Sequence, residues 1–239
     1  MLITNKHECT ESFVINVNRN RIERTVTYKY LGVTVDEKLT WKEHCEQLCS
    51  TMSKYVGVMY KVKHYVNNHA LRMLYHSLIN SRTQYGIIAW GKAASCHLLP
   101  ISAILNRAMR CLKADKRLTN KITTIYKMQK ILQLKDIYNL EVSKFMYKYT
   151  TSPLPATFNN YFKLITDVHS YNTKQVKTRQ FALPKARSNS GVKMIKYSAI
   201  EIWSKIPPEI KIKRVWHFFW QSIGNMNYSA TRTMFYVFI

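Results

Sequence analysis

The sequence predicts a mainly α-helical protein with a small β-hairpin at its N-terminus and a mixed, basic C-terminal segment. Three patterns indicate this class: alternating β-branched residues near the start, helix-spaced apolar residues in the middle, and a polar, basic stretch after them. We divide the chain into a hairpin at 1–38, a helical bundle at 39–151, a basic segment at 152–214 and a divergent tail at 215–239. With 239 residues, 46% of them hydrophobic, the chain is long enough for one large or two small cores.

The hairpin is predicted from two alternating runs. Phe13 to Val17 and Thr25 to Val35 favour β-branched residues, and Asn18-Arg19-Asn20 lies between them as the turn. The second strand is expected to end at Gly32 or soon after it, where glycine permits a turn or a close approach of a nucleic-acid strand. The single Asp36 then stands just before a helical pattern.

The first helix is predicted over roughly 40–64. Thr40 and Glu43 have the spacing of a capping box, in which each side chain satisfies a backbone N–H of the other residue. Apolar residues then recur at intervals of three and four along one helix face: Trp41, Cys45, Leu48, Met52, Tyr55, Val56, Met59 and Val62.

Further helices follow in the same pattern. Asn67 or Asn68 caps a second helix that runs into "YGIIAW" and ends at Gly91. A third helix is predicted from about Cys96 to Leu112, and shorter ones begin at Thr119 and Lys135. The rings of "KFMYKYTT" have helical spacing and are interpreted as core. The prolines of "TTSPLPATF" end the helical region, and the polar stretch from about 168 to 192 is interpreted as a linker or binding loop.

The charge balance points to a polyanionic partner. Lysine and arginine number 37 against 13 acidic residues, a formal net charge of +24. Between 171 and 214 there are eleven basic residues against two acidic ones, interleaved with Tyr171, Phe181, Tyr197 and Trp203. Cations follow phosphates and flat rings stack on unpaired bases, so nucleic acid is the predicted partner.

Other partners and compartments fit the sequence less well. No run of about 18 apolar residues and no secretory leader pattern are present, so we expect neither a membrane partner nor secretion. The five cysteines are odd in number and lack paired spacing, which favours free thiols in a reducing compartment. An intracellular location, nuclear or cytoplasmic, is therefore expected.

Residue patterns typical of catalysis are incomplete in this sequence. A lone aspartate before a helix is typical of a cap rather than a metal ligand, so Asp36 is interpreted as structural. His44, Cys45 and Cys49 suggest zinc, but no second pair stands at ligand spacing, and buried thiols are the preferred interpretation. No serine lies in a nucleophile-elbow pattern. We predict no metal or other cofactor in this chain.

Three ordered motifs carry a family resemblance. The first is a Tyr-Leu-Gly-Val strand end, an acidic residue and a helix start, at Tyr30, Leu31, Gly32, Val33, Asp36, Leu39, Trp41 and His44. The second is a helix end at Tyr85, Gly86, Trp90 and Gly91. The third comprises His169, Tyr171, Asn172, Thr173, Lys174, Pro184, Arg187, Asn189, Ile202, Trp203 and Pro207. Over residues 13–213, the chain resembles the region downstream of the polymerase core in jockey-type non-LTR retrotransposon reverse transcriptases.

The resemblance implies a thumb-like bundle and a C-terminal region, with the hairpin as the end of the palm. The catalytic aspartates of that family, which hold two Mg²⁺ ions about 3.5 to 4 Å apart, belong to the palm. No two aspartates are adjacent here, so the resemblance implies a fragment that binds template–primer but does not polymerise alone. Magnesium is then expected only in the missing palm, and the missing palm and fingers are expected partners. The tail at 215–239 departs from the family pattern and is assigned no role.

The charge pattern and the family resemblance together predict which residues contact nucleic acid. These are Lys29, Lys42, His169, Tyr171, Asn172, Lys174, Lys177, Arg179, Lys185, Arg187, Lys193 and Lys196. One alternative is an unrelated basic helical module that binds RNA or DNA without preferring primer ends. A second alternative, a complete small enzyme, is disfavoured by the absence of paired carboxylates.

Overall fold

A computed structural model describes residues 15–17, 20–22, 24–112, 121–152, 154–167 and 181–207. The N-terminal part contains two antiparallel hairpins, β1 (Ile15–Val17) with β2 (Asn20–Ile22) and β3 (Thr27–Tyr30) with β4 (Val33–Asp36). The single hairpin predicted from the alternating runs is therefore wrong in its pairing. The β structure itself and the helical class are confirmed.

The second hairpin owes its pairing to a tight turn inside the run that we predicted as one strand. Leu31 and Gly32 both have positive φ, at 46° and 80°. A two-residue turn with positive φ at both positions matches the right-handed twist of paired strands. The Tyr85 hydroxyl donates a hydrogen bond to the Leu31 carbonyl, and its ring would lie 3.4 Å from a Cβ at position 32. Gly32 is thus needed for a turn.

The helices lie close to the predicted positions. Asn67 caps the second helix as expected, its side chain accepting a hydrogen bond from the Ala70 N–H at 2.8 Å. The helix predicted to run to Gly91 instead changes to a π turn and then breaks at Gly86, where φ is 62°. The helices are α1 (Lys42–Val62), α2 (Asn68–Leu74), the π turn (Tyr75–Asn80), α3 (Ser81–Gln84), α4 (Ile87–Trp90), α5 (Ser95–Cys111), α6 (Ile122–Gln129), α7 (Leu134–Thr151), α8 (Asn189–Lys193) and α9 (Ile195–Ser204).

The chain folds into two compact units. The first contains the hairpins, α1 to α3 and α5, so the helices predicted as one bundle are divided between the two units. In this unit α1 packs against α5 through fully buried side chains on both helices: Met52, Val56, Met59, Ile101, Leu105 and Met109. Burial of such side chains stabilises a domain by about 1.5 to 3 kcal/mol each.

The second unit contains α4 and the described residues from α6 onwards, and α7 packs against α9. Rings on α7 and the segments after it pack together as a cluster around the buried Phe162. Tyr149 and Phe162 pack edge to face with centroids 4.9 Å apart, and Phe145 packs against Phe158 at 5.5 Å. Phe145 and Tyr149 are half-buried members of this cluster and Phe162 is its buried member, so the interpretation of the α7 rings as core is only partly confirmed. No helix among the described residues is both long and apolar enough to cross a membrane.

Candidate nucleic-acid interface

Six of the predicted contact residues lie in the described part of the chain, and all six are exposed. Lys29 is on β3 and Lys42 is the first residue of α1, so both belong to the first unit. The other four belong to the second unit: Lys185, Arg187, Lys193 and Lys196. The remaining predicted contacts, His169, Tyr171, Asn172, Lys174, Lys177 and Arg179, lie outside the described residues.

The start of α8 brings several of the predicted cations to one stretch of surface. Ser188 caps this helix by accepting a hydrogen bond from the Gly191 N–H at 3.2 Å. A Cβ built on Gly191 would lie 3.4 Å from the Ala186 side chain, so the segment before the helix packs against it. The residues that flank Ala186 on either side, Lys185 and Arg187, therefore lie near the helix that carries Lys193.

Lys196 is positioned by a ring. Its Nζ lies 5.3 Å from the centre of the Tyr161 ring, within the range of a cation–π interaction. Tyr161 in turn packs edge to face on Phe162, with centroids 5.0 Å apart. An exposed lysine is thereby attached to the aromatic cluster of the second unit.

Two rings that we expected beside nucleic acid lie elsewhere. Phe181 packs against Tyr149 and Phe162, each at a centroid distance of 5.8 Å, and Trp203 is buried on α9. Burial of the Trp203 ring is favourable because a large ring removes extensive apolar area from water. The prediction that Trp203 interleaves with the cations at the surface is wrong, whereas Phe181 is half-buried, with its ring packed on the aromatic cluster.

A lysine cluster surrounds Glu201 in the second unit. Lys205, the residue just after α9, places its Nζ 2.7 Å from Oε1 of Glu201 on that helix. The Lys92 and Lys135 ammonium groups are also close enough to act on the same carboxylate. We call Lys92, Lys135 and Lys205 the Glu201 cluster.

Contacts of the Tyr138 side chain connect the segments that carry this cluster. Lys92 Nζ lies 5.7 Å from the centre of the Tyr138 ring on α7, and the Tyr138 hydroxyl is 2.8 Å from the Ser198 hydroxyl on α9. Lys135 precedes Tyr138 by one turn of α7, and Glu201 follows Ser198 by one turn of α9. Lys135 on α7, Lys205 after α9 and Lys92 after α4 thus all act on the Glu201 carboxylate.

The electrostatics of the cluster favour a further anion. The pKa of Glu201 is lowered, chiefly by the hydrogen bond from Lys205; burial opposes this effect, and the charges of Lys205, Lys92 and Lys135 add smaller lowering contributions. Glu201 is therefore ionised at neutral pH. One carboxylate offsets one of the three lysines, and two positive charges remain.

Sequence reasoning missed most of this cluster because its lysines come from three separate parts of the chain. Lys92 and Lys135 stand outside the basic segment and carry no local pattern. The one available signal was the spacing of Glu201 and Lys205, which is that of a helical ion pair. The cluster itself depends on the packing of α7 against α9.

The corner at Asp36 is structural, as predicted. The Asp36 carboxylate accepts hydrogen bonds from the Thr40 N–H, the Thr40 hydroxyl and the Trp41 N–H at 2.8, 2.9 and 2.8 Å. The predicted capping box of Thr40 and Glu43 is wrong, because the N-cap of α1 is Trp41 and the Thr40 N–H donates to Asp36 instead of Glu43. Within the described part of the chain, the buried Glu43 Oε2 has no hydrogen-bond partner.

The thiols near this corner lie in or beside the core. The His44 ring accepts a hydrogen bond from the Thr34 N–H at 3.3 Å through Nδ1. Burial, with smaller contributions from neighbouring thiols and Glu46, raises the pKa of Cys45 to about 12, and burial likewise raises the pKa of Cys49. Both thiols are therefore protonated at neutral pH. Among the described residues, no group of three or more His, Cys, Asp and Glu has metal-binding geometry.

Comparison of the chain with protein-family models, with curated proteins and with solved structures finds no match. The functional interpretation of the site therefore depends on its own residues.

Proposed function

We propose that this chain binds nucleic acid through its phosphates, as the thumb and C-terminal region of a non-LTR retrotransposon reverse transcriptase. The Glu201 cluster is the observation that supports this most directly. Its two surplus charges, together with the exposed cations at Lys185, Arg187, Lys193 and Lys196, lie in one compact unit. Each phosphate that such a side chain neutralises releases a condensed counterion, which drives association.

The role of the chain in this proposal is positional. Phosphate contacts fix the orientation of a duplex but carry no sequence information. An A-form hybrid of template and primer would be recognised by its shape and by 2′-hydroxyl contacts across its shallow groove. The β3–β4 hairpin with Lys29 would support the primer end.

The chemistry of polymerisation is assigned to another segment. The sequence contains no adjacent aspartates, and the carboxylate before α1, Asp36, is occupied by three hydrogen bonds. The chain alone is expected to give no nucleotide incorporation on a primed homopolymer template with magnesium. Incorporation above background would contradict the proposal that it is a fragment.

Affinity for a recessed RNA–DNA hybrid and for a blunt hybrid of equal length tests the function itself. We expect salt-sensitive binding, tighter for the recessed end, with the logarithm of the association constant falling linearly with the logarithm of the salt concentration. Equal affinity for both ends would favour the alternative, an unrelated basic helical RNA- or DNA-binding module. No binding to either hybrid in dilute buffer would exclude both.

A further inference from the structure

The first unit has an end at which two helices terminate side by side. The Cys96 thiol near the start of α5 is close enough to Cys45, near the start of α1, to affect its pKa. Towards the other end, the Tyr60 hydroxyl donates a hydrogen bond to the Arg107 carbonyl at 3.3 Å. The helices therefore run parallel, and both C-termini lie at the same end.

Four cationic residues lie at or near these two C-termini, namely Lys61, Lys63, Arg107 and Arg110. A structural explanation is that they offset the helix dipoles, each of which places about half a negative charge at a C-terminus. Two parallel helices need about one positive charge on that basis. The cations at this end exceed that requirement by about three charges.

The carboxylates that the structure describes in the first unit lie too far away to neutralise this surplus. Between Glu46 and Asp115 the sequence contains no acidic residue. The acidic residues described in this unit are Asp36, Glu37, Glu43 and Glu46, all before or within the first turns of α1. At about 1.5 Å per residue, Glu46 lies about 22 Å along the helix from Lys61. This is well beyond the screening length of about 8 Å at physiological salt.

Two rings accompany the cations. Lys63 Nζ lies 4.8 Å from the centre of the Tyr60 ring. Tyr65, in the turn just after α1, is 90% exposed, and its N–H donates a hydrogen bond to the Val62 carbonyl at 2.8 Å. The backbone of Tyr65 is thus held against the end of α1 while its ring faces solvent.

We propose that this end of the first unit binds a single-stranded segment of nucleic acid, with an unpaired base stacked on Tyr65 and the adjoining phosphates on the four cations. The inference rests on the proposed function and deepens it by naming the form of nucleic acid bound here. A ring with a free face beside surplus cations favours single strands over duplexes, because bases inside a duplex stack on one another and offer no free face. Stacking is independent of base identity, so the site discriminates strandedness and not sequence.

Fluorescence anisotropy with the full chain and an oligonucleotide of about 16 nucleotides tests the site. Tyr65→Ala is expected to weaken single-strand binding about 5- to 100-fold, while Tyr65→Phe, which keeps the ring, stays within about twofold of the wild type. A 2-aminopurine base in the strand should be quenched on binding to the wild type and to Tyr65→Phe, and not to Tyr65→Ala. Leu99→Ala removes an exposed apolar side chain near the start of α5 and should change neither measurement.

A blunt RNA–DNA hybrid separates this inference from the function on which it rests. The site is supported if Tyr65→Ala binds the hybrid as tightly as the wild type does but loses affinity for the single strand. Equal single-strand affinity of Tyr65→Ala, Tyr65→Phe and the wild type would overturn the site and leave the hybrid-binding function standing. Absence of wild-type binding to any nucleic acid would overturn both.

Discussion

The Asp36 carboxylate accepts two hydrogen bonds from Thr40, at 2.8 Å from its backbone N–H and at 2.9 Å from its hydroxyl. With the third bond from Trp41, they connect the end of β4 to the start of α1. Leu39 and Trp41 have positive φ, at 52° and 64°, which costs a non-glycine residue about 1 to 2 kcal/mol. Asp36 offsets that cost, and the corner is a joint between hairpin and helix.

Removing this carboxylate should destabilise the first unit. Asp36→Ala is expected to lower the free energy of unfolding by about 2 kcal/mol, because three donors lose a charged acceptor while two residues keep strained φ angles. The measurement is urea denaturation followed by circular dichroism, with a lower midpoint and an unchanged slope. The control is Glu46→Ala, which removes an exposed carboxylate from α1. It should change the free energy of unfolding by less than about 0.5 kcal/mol.

The Asp36 carboxylate should also make the stability of the first unit depend on pH. Burial acts to raise the pKa of Asp36, but the hydrogen bonds from Thr40 and Trp41 outweigh it and the pKa in the folded state is lowered. The stabilisation is then fully present above the unfolded-state pKa of about 3.9 and is lost as the pH falls through the lowered folded-state value. The stability difference between wild type and Asp36→Asn should be constant from neutral pH to about pH 5 and should shrink in stronger acid. A difference that grows on acidification would contradict the assignment.

Helical periodicity predicted most of the secondary structure because it is a local signal. The start of α5, the Asn67 cap and the end of α7 at the proline-containing segment follow from residues within one or two turns. The hairpin pairing failed for a different reason. Alternation identifies strand residues but not their partners, and Leu31 at φ 46° is a residue that sequence rules do not place in a left-handed turn.

The site was less accessible to prediction than the fold. Composition indicates a polyanionic partner, but only packing decides which cations meet. Lys92, Lys135 and Lys205 lie far apart in sequence, and all three act on Glu201 because Tyr138 on α7 contacts both Lys92 and Ser198 of α9. Aromatic residues are also difficult to place from composition. A basic segment that contains Phe181 and Trp203 has the same composition whether the rings face solvent or the core.

Replacement by alanine should destabilise the protein at Gly91 and stabilise it at Gly57. A Cβ on Gly91 would lie 2.4 Å from Tyr138 Cδ2 and 2.6 Å from the Ile87 carbonyl oxygen, whereas nothing lies within 4 Å of a Cβ on Gly57. The backbone oxygen cannot move away as a flexible side chain would. We expect Gly91→Ala to lower the free energy of unfolding by about 1 to 3 kcal/mol.

Gly57→Ala is the matched variant, since Gly57 lies inside α1. It should raise the free energy of unfolding by about 0.5 to 1 kcal/mol, because glycine loses more backbone entropy in a helix than alanine. Thermal and urea denaturation measure both variants. Stabilisation by Gly91→Ala would show that α4 does not pack on Tyr138 as described.

Removing the carboxylate of Glu201 and removing the lysines around it should change the affinity for nucleic acid in opposite directions. Glu201→Gln removes the one carboxylate among three lysines and should tighten binding to an RNA–DNA hybrid, because Lys205 is released from its ion pair at 2.7 Å. Joint replacement of Lys92, Lys135 and Lys205 by glutamine should weaken binding and reduce the salt slope by about one for each phosphate that is no longer neutralised. Binding isotherms over a series of salt concentrations measure both effects.

Glu141→Gln separates a local effect of the cluster from a change in net charge. It alters the charge by the same amount and releases Lys144 from an ion pair at 2.6 Å, but Glu141 is not among the charges that act on the cluster carboxylate. If phosphates bind at the cluster, Glu201→Gln should increase affinity and salt slope more than Glu141→Gln does, since charges more than about 8 Å from a bound phosphate are largely screened. Equal gains from the two variants would mean that overall charge, and not this group of lysines, governs binding.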